Sequence, residues 1–164
     1  MKYRFSGYAD GAIIRNMRKE DSDGAGIAFV VFDEDQCIGM WGKHTRDADT
    51  SYEAEAMSVL FGCKICADNK FFPLRLSNDC VTPYSLKTNG FSEEFENQVF
   101  RMKGKVKYIQ HVRGIKNYRF HNERYSIADK ISRYCREKKR DFHKKPTVRR
   151  VDEEVTIPLD LLHY

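Results

Sequence analysis

A long helical stretch set between two strand-like segments constrains this chain more than any other feature. From Tyr52 to Asp68, Ala56, Val59, Leu60, Cys63 and Ala67 recur at helical spacing and make one apolar face, and Asp49-Thr50-Ser51 ahead of them supplies N-cap candidates. Upstream, Tyr3–Asp10, Gly26–Phe32 and Cys37–Lys43 read as strands, with "DEDQ" as a hairpin turn between the last two. These three are expected to form an antiparallel meander. Downstream, "FFPLRLS", Phe71 to Ser77, is a fourth strand. A helix of a dozen or more residues between two strands has the length of a crossover, so the fourth strand is expected to join the same sheet in parallel.

Residues 81–103 suggest two short helices split at "KTNG", the second over Ser92–Met102, and "KVKYIQHV" is a fifth strand. After an irregular stretch, "RGIKNYRFHNER", the positions of Ile127, Ala128, Ile131, Tyr134 and Cys135 predict a helix over Ile127–Lys139. From Asp141 the chain reads as a tail, which predicts a domain over residues 1–142 and a C-terminal tail over 143–164. The element order predicts an α/β fold: a mixed five-stranded sheet, antiparallel for three strands and then parallel, flanked by helices.

With 164 residues, 41% of them hydrophobic, the chain is long enough for one buried core and short for two domains. No apolar run reaches the roughly 18 residues of a membrane span, and "MKYRFSGYAD" lacks the apolar segment of a secretory signal, so a soluble, cytoplasmic monomer is expected. Cys63 and Cys66 form a CxxC with no second pair to complete a zinc site. Buried free thiols in a reducing compartment are the expected state of the cysteines. Charge is unevenly placed: residues 101–150 hold 18 Lys or Arg against 4 Asp or Glu, in a chain whose net charge is +5. A basic third on a mildly acidic body points to a polyanion partner, nucleic acid above all.

Asp10, in "GYADG", ends the first predicted strand and Asp79, in "LRLSNDC", ends the fourth. If those strands are parallel neighbours, both carboxylates emerge at one C-terminal sheet edge, where α/β folds bind ligands. Like charges so close raise each other's pKa unless a cation lies between them, and hard oxygen ligands suit Mg²⁺ or Mn²⁺. Glu53 and Glu55 both lie near the start of the first long helix, on opposite flanks of its apolar face, and periodicity does not choose between them. Asp129 falls in the first turn of the last predicted helix, where Ser126-x-x-Asp129 also resembles a capping box.

At these residues the chain resembles type 1 ribonuclease H. "YADGAIIRN" is similar to that family's opening motif, "DTSYEAEAMSVL" to its helix motif, "LSNDC" to its fourth-strand motif and "HNERYSIADKISR" to its final helix, in the family's order. The resemblance implies a ribonuclease H-like fold and assigns Asp10, Glu55, Asp79 and Asp129 as catalytic, metal-binding carboxylates, selecting Glu55 over Glu53. It places Asn16 against nucleic acid and Thr50 and Ser51 at a phosphate-contacting turn. The family's product-releasing histidine falls nearest His121, with His111 or Arg113 as alternatives in a loop that does not align, and Arg113 is also a candidate substrate contact.

What the resemblance implies is an endonuclease that hydrolyses the RNA strand of an RNA–DNA hybrid with two Mg²⁺ or Mn²⁺ ions, bridged by Asp10. Tyr118, Arg119 and Phe120 are further candidate contacts. The segment between Asp79 and the fifth strand is too short for the basic protrusion of some bacterial members, so the basic stretch 101–119 and the last helix would take over its grip. The rival is a catalytically silent module that keeps the fold and basic surface only for binding. A 3′–5′ exonuclease of the same superfamily would need Asp-x-Glu, whereas Gly11-Ala12 follows Asp10. In the tail, Leu159-Asp160-Leu161-Leu162 is loosely similar to sliding-clamp-binding peptides, so residues 152–164 either pack on the body or engage a replication partner.

Overall fold

The computed structural model describes residues 3–13, 24–48, 50–78, 106–109 and 118–145. Strands β1 (Phe5–Ile13), β2 (Ala25–Asp33) and β3 (Gln36–Thr45) form the expected antiparallel meander. Helix α1 (Ser51–Asn69) then crosses over to β4 (Leu74–Ser77), which pairs with β1 in parallel, Phe5 opposite Leu74 and Tyr8 opposite Ser77. Strand β5 (Val106–Ile109) pairs with β4 in parallel, and helix α2 (Tyr118–Lys138) follows. The five expected strands thus form one mixed sheet. A sixth, β6 (Phe142–Lys144), pairs antiparallel with β3 and extends it to the order β5-β4-β1-β2-β3-β6. β6 lies in the stretch that reads as tail; the Asp141 carboxylate accepts from the His44 backbone N–H at 3.0 Å and the His143 ring stacks on Trp41.

The helices cover opposite faces of the sheet. Phe5, Ala9, Phe29, Val31, Leu74 and Leu76 pack with Ala56, Val59, Leu60, Cys63 and Cys66 of α1, while Tyr8, Ala28, Val30 and Phe32 pack with Tyr125, Ile127, Ala128, Ile131 and Cys135 of α2. Alternate residues of β1 and β2 therefore serve different helices, which is why "AGIAFVVF" is apolar without alternation. Cys66 takes the buried place that the sequence pattern gives to Ala67, which is exposed. Cys37, Cys63, Cys66 and Cys135 are free and buried. Burial pushes the Cys37, Cys63 and Cys135 thiols up to about 12. Cys80 and the expected helices of 81–103 lie outside the described residues.

β1 begins at Phe5 rather than Tyr3 and β4 at Leu74 rather than Phe71, and two further boundaries bear on the site. β1 runs three residues past Asp10, because Gly11, Ala12 and Ile13 stay paired with Ile27, Gly26 and Ala25. The last helix begins at Tyr118 rather than Ile127, so residues 118–124 are helical, not irregular. Polar residues concealed that start: Arg124 is buried, with its guanidinium 4.0 Å from the Phe32 ring centre and 3.5 Å from the Asp35 carboxylate. Ser126 consequently does not cap the helix; its hydroxyl donates to the Glu123 carbonyl at 2.6 Å. Asp129 stands about three turns in, so the capping-box explanation for this acid falls away.

Candidate active site

The site is assembled where two helices meet β1 from opposite sides, and two glycines let them come close. A Cβ on Gly11 would lie 2.4 Å from the Ala54 carbonyl carbon and 2.7 Å from the Glu55 nitrogen, so α1 rests backbone to backbone on the strand beside Asp10. A Cβ on Gly26, which pairs with Ala12, would lie 1.7 Å from the Ser132 carbonyl oxygen, so α2 rests on β2 in the same way. Only glycine permits either approach.

Asp10 projects from β1 toward α2 and is 4% exposed. Its two carboxylate oxygens accept from the Tyr125 hydroxyl and the Ser132 hydroxyl, both from α2. Burying a carboxylate is costly without such donors. Both donors are neutral, so they hydrogen-bond the carboxylate without supplying a counter-charge. The Ser132 oxygen also lies 2.9 Å from the Asp129 carbonyl oxygen, and its single proton serves one acceptor at a time.

Glu55 reaches the same edge from α1. The side-chain nitrogen of Asn78, the residue after β4, donates to Glu55 Oε2 at 2.7 Å and to the Ala9 carbonyl at 2.8 Å. One fully buried amide thus ties the Glu55 carboxylate to the peptide preceding Asp10. This placement is possible because β4 runs parallel to β1, so that both chains leave the sheet on one side.

Asp129 lies on α2 one helical turn before Ser132. Its carboxylate pairs with Arg133 at 2.9 Å, a half-exposed i,i+4 contact of the kind worth at most about 1 kcal/mol and open to exchange. Thr50 is the N-cap of α1: its hydroxyl oxygen accepts from the Glu53 backbone N–H at 3.2 Å. Ser51 opens the helix beside it. His121 lies in the first turn of α2. Asp79, Asn16, His111 and Arg113 lie outside the described residues.

Hard carboxylate oxygens at a sheet edge, one of them almost wholly buried and held by neutral donors, have the chemistry to take a hard divalent cation. Among the described residues no three His, Cys, Asp or Glu are grouped closely enough to hold one, and Asp79 is not among them. Sequence reasoning missed Asn78, Tyr125 and Ser132. Asn78 stands beside Asp79 in "LSNDC", and Tyr125 and Ser132 flank Asp129 at i−4 and i+3, which is the spacing of one helix face.

No family model matches the chain, and no curated protein matches it in sequence. Its structure matches solved ones. The ribonuclease H domain of prototype foamy virus, in solution, superposes with a TM-score of 0.60 at 21% identity over 84% of this chain and 96% of that one. Ribonuclease H1 of the archaeon Halobacterium salinarum superposes at 0.54 and 18% identity, over 82% of this chain and 98% of that one. The prototype foamy virus protease–reverse transcriptase superposes at 0.58 and 19% identity over 80% of this chain, which spans only 20% of the length of that protein. No helix among the described residues is long and apolar enough to cross a membrane. The meander, the parallel crossover through α1, the returning helix α2 and these superpositions together give the chain a ribonuclease H-like fold.

Proposed function

We propose that this chain is a metal-dependent endonuclease that hydrolyses the RNA strand of an RNA–DNA hybrid. The observation that carries the reading is the Asn78 amide, on the residue before Asp79, which ties the Glu55 carboxylate to the Ala9 carbonyl, next along β1 to the buried carboxylate of Asp10. Asp10, Glu55, Asp79 and Asp129 would hold two Mg²⁺ or Mn²⁺ ions. When bound, such a pair supplies an activated water for in-line attack and a counter-charge for the leaving 3′-oxygen.

The protein's own residues do the rest. Asp10 and Glu55 hold negative charge at a fixed place, where it attracts cations. The basic residues of 101–150 hold the nucleic-acid backbone, and recognition of a hybrid by shape, phosphates and 2′-hydroxyls needs no base readout. Ser51, at the start of α1, presents a helix N-terminus suited to a phosphate, and Asn16 and Arg113 are further contacts. One of His111, Arg113 and His121 assists departure of product.

The test is digestion of end-labelled RNA–DNA hybrid, RNA duplex and DNA duplex, each with Mg²⁺ and with chelator. Internal cleavage of the RNA strand of the hybrid, dependent on Mg²⁺ and lost in Asp10→Asn, is the expected result. Binding of hybrid without cleavage under any divalent ion would replace this reading with a silent binding module.

A further inference from the structure

We infer that Asn78, Tyr125 and Ser132 are positioning residues that hold Glu55 and Asp10 in cation-binding geometry before any ion arrives. The inference rests on the metal-nuclease reading above and adds to it the groups through which two helices and a strand fix the carboxylates.

Each carboxylate is held from a different element. Tyr125 and Ser132, two turns apart on one face of α2, donate to the two oxygens of Asp10. Asn78 donates to Glu55 and to the Ala9 carbonyl from a single nitrogen, so it sets the separation between α1's acid and the strand that bears Asp10. Asn78 and Ser132 are 0% exposed and Tyr125 is 8% exposed. Such groups lose little freedom when a ligand binds.

The chemistry of the donors matters as much as their places. A lysine or arginine in any of these positions would neutralise the carboxylate and compete with a cation. A hydroxyl or an amide orients the carboxylate without bringing a competing positive charge to it. Groups of this kind behind metal ligands typically change metal affinity about 10–100-fold when removed.

An ordinary fold-stabilising role predicts something different, and Mn²⁺ binding without nucleic acid, followed by the electron spin resonance of the free ion, separates the two. In Asn78→Ala the Mn²⁺ dissociation constant should rise about 10–100-fold. In a Glu55→Gln background the same substitution should change it by less than about threefold, because its effect passes through Glu55. Tyr125→Phe and Ser132→Ala should each weaken binding about tenfold, and neither should act in an Asp10→Asn background. These two, which remove one hydroxyl each, decide the matter if Asn78→Ala fails to fold. Lower melting temperatures with Mn²⁺ affinity within twofold of wild type would overturn the positioning role and leave the nuclease reading standing. A wild-type protein that neither binds Mn²⁺ nor cuts hybrid would overturn both.

Discussion

Adding one methyl group at Gly11 tests how the site is built. In Gly11→Ala the new carbon would lie 2.4 Å from the Ala54 carbonyl carbon, 2.5 Å from its oxygen and 2.7 Å from the Glu55 nitrogen. Carbon contacts are comfortable at about 3.5–4.0 Å, so α1 must retreat from β1 by about 1 Å. Those atoms are helix backbone and cannot rotate away, which puts the cost near the upper end of the usual overpacking range, about 3 kcal/mol. For a chain of this size that corresponds to a fall in Tm of about 6–12 °C. The retreat begins at Glu55 itself, and a misplacement of about 1 Å in a reacting constellation can cost about 100-fold in rate. Thermal melting by circular dichroism and Mg²⁺-dependent hybrid cleavage at a temperature where both proteins are folded are the assays. A control sits on the same helix: the methyl of Gly62→Ala would meet the Phe29 ring at 2.5 Å, a core side chain rather than backbone. Gly62→Ala should lose stability without a comparable loss of cleavage per folded molecule. Wild-type Tm and cleavage in Gly11→Ala would refute the close helix–strand approach as the device that places Glu55.

Glu55→Gln should reduce cleavage at least about 100-fold, whereas Glu53→Gln, which alters only a first-turn acid at a capped helix start, should keep near wild-type activity and cost at most about 1 kcal/mol; equal losses in the two would sink the assignment. Thr50→Ala should lower stability by about 1 kcal/mol through the lost cap on the Glu53 N–H, with Thr50→Ser restoring it, as read by urea denaturation. Alkaline pH should unfold the protein gradually. Burial raises Tyr8 from 10.0 to about 12 and the Cys63 thiol from 9.0 to about 12, so both acids are kept neutral in the fold. Their contribution is fully present below the unfolded values and is lost as pH rises from about 9 toward 12. A Tm that is flat from pH 8 to pH 11 would contradict this burial.

The sequence by itself carried the element order and its consequence. A helix longer than a hairpin turn between "CIGMWGK" and "FFPLRLS" calls for a crossover, and the parallel direction of β4 follows from it, while its place beside β1 was decided by the fold. The apolar periodicity of α1 and the glycine after Asp10 were legible too, because spacing along the chain is a local property. What tertiary structure decided is which polar residues count as interior. Arg124 and Tyr125 look like solvent-facing residues until the Phe32 ring, Asp35 and the Asp10 carboxylate come up against them, so the first turns of α2 were invisible to an apolar pattern. The same holds at the site. Asn78 and Ser132 are ordinary polar letters in the sequence; they become part of the site because a buried carboxylate must find donors, and only the folded sheet edge brings Ala9, Asp10, Glu55 and these donors within hydrogen-bond reach.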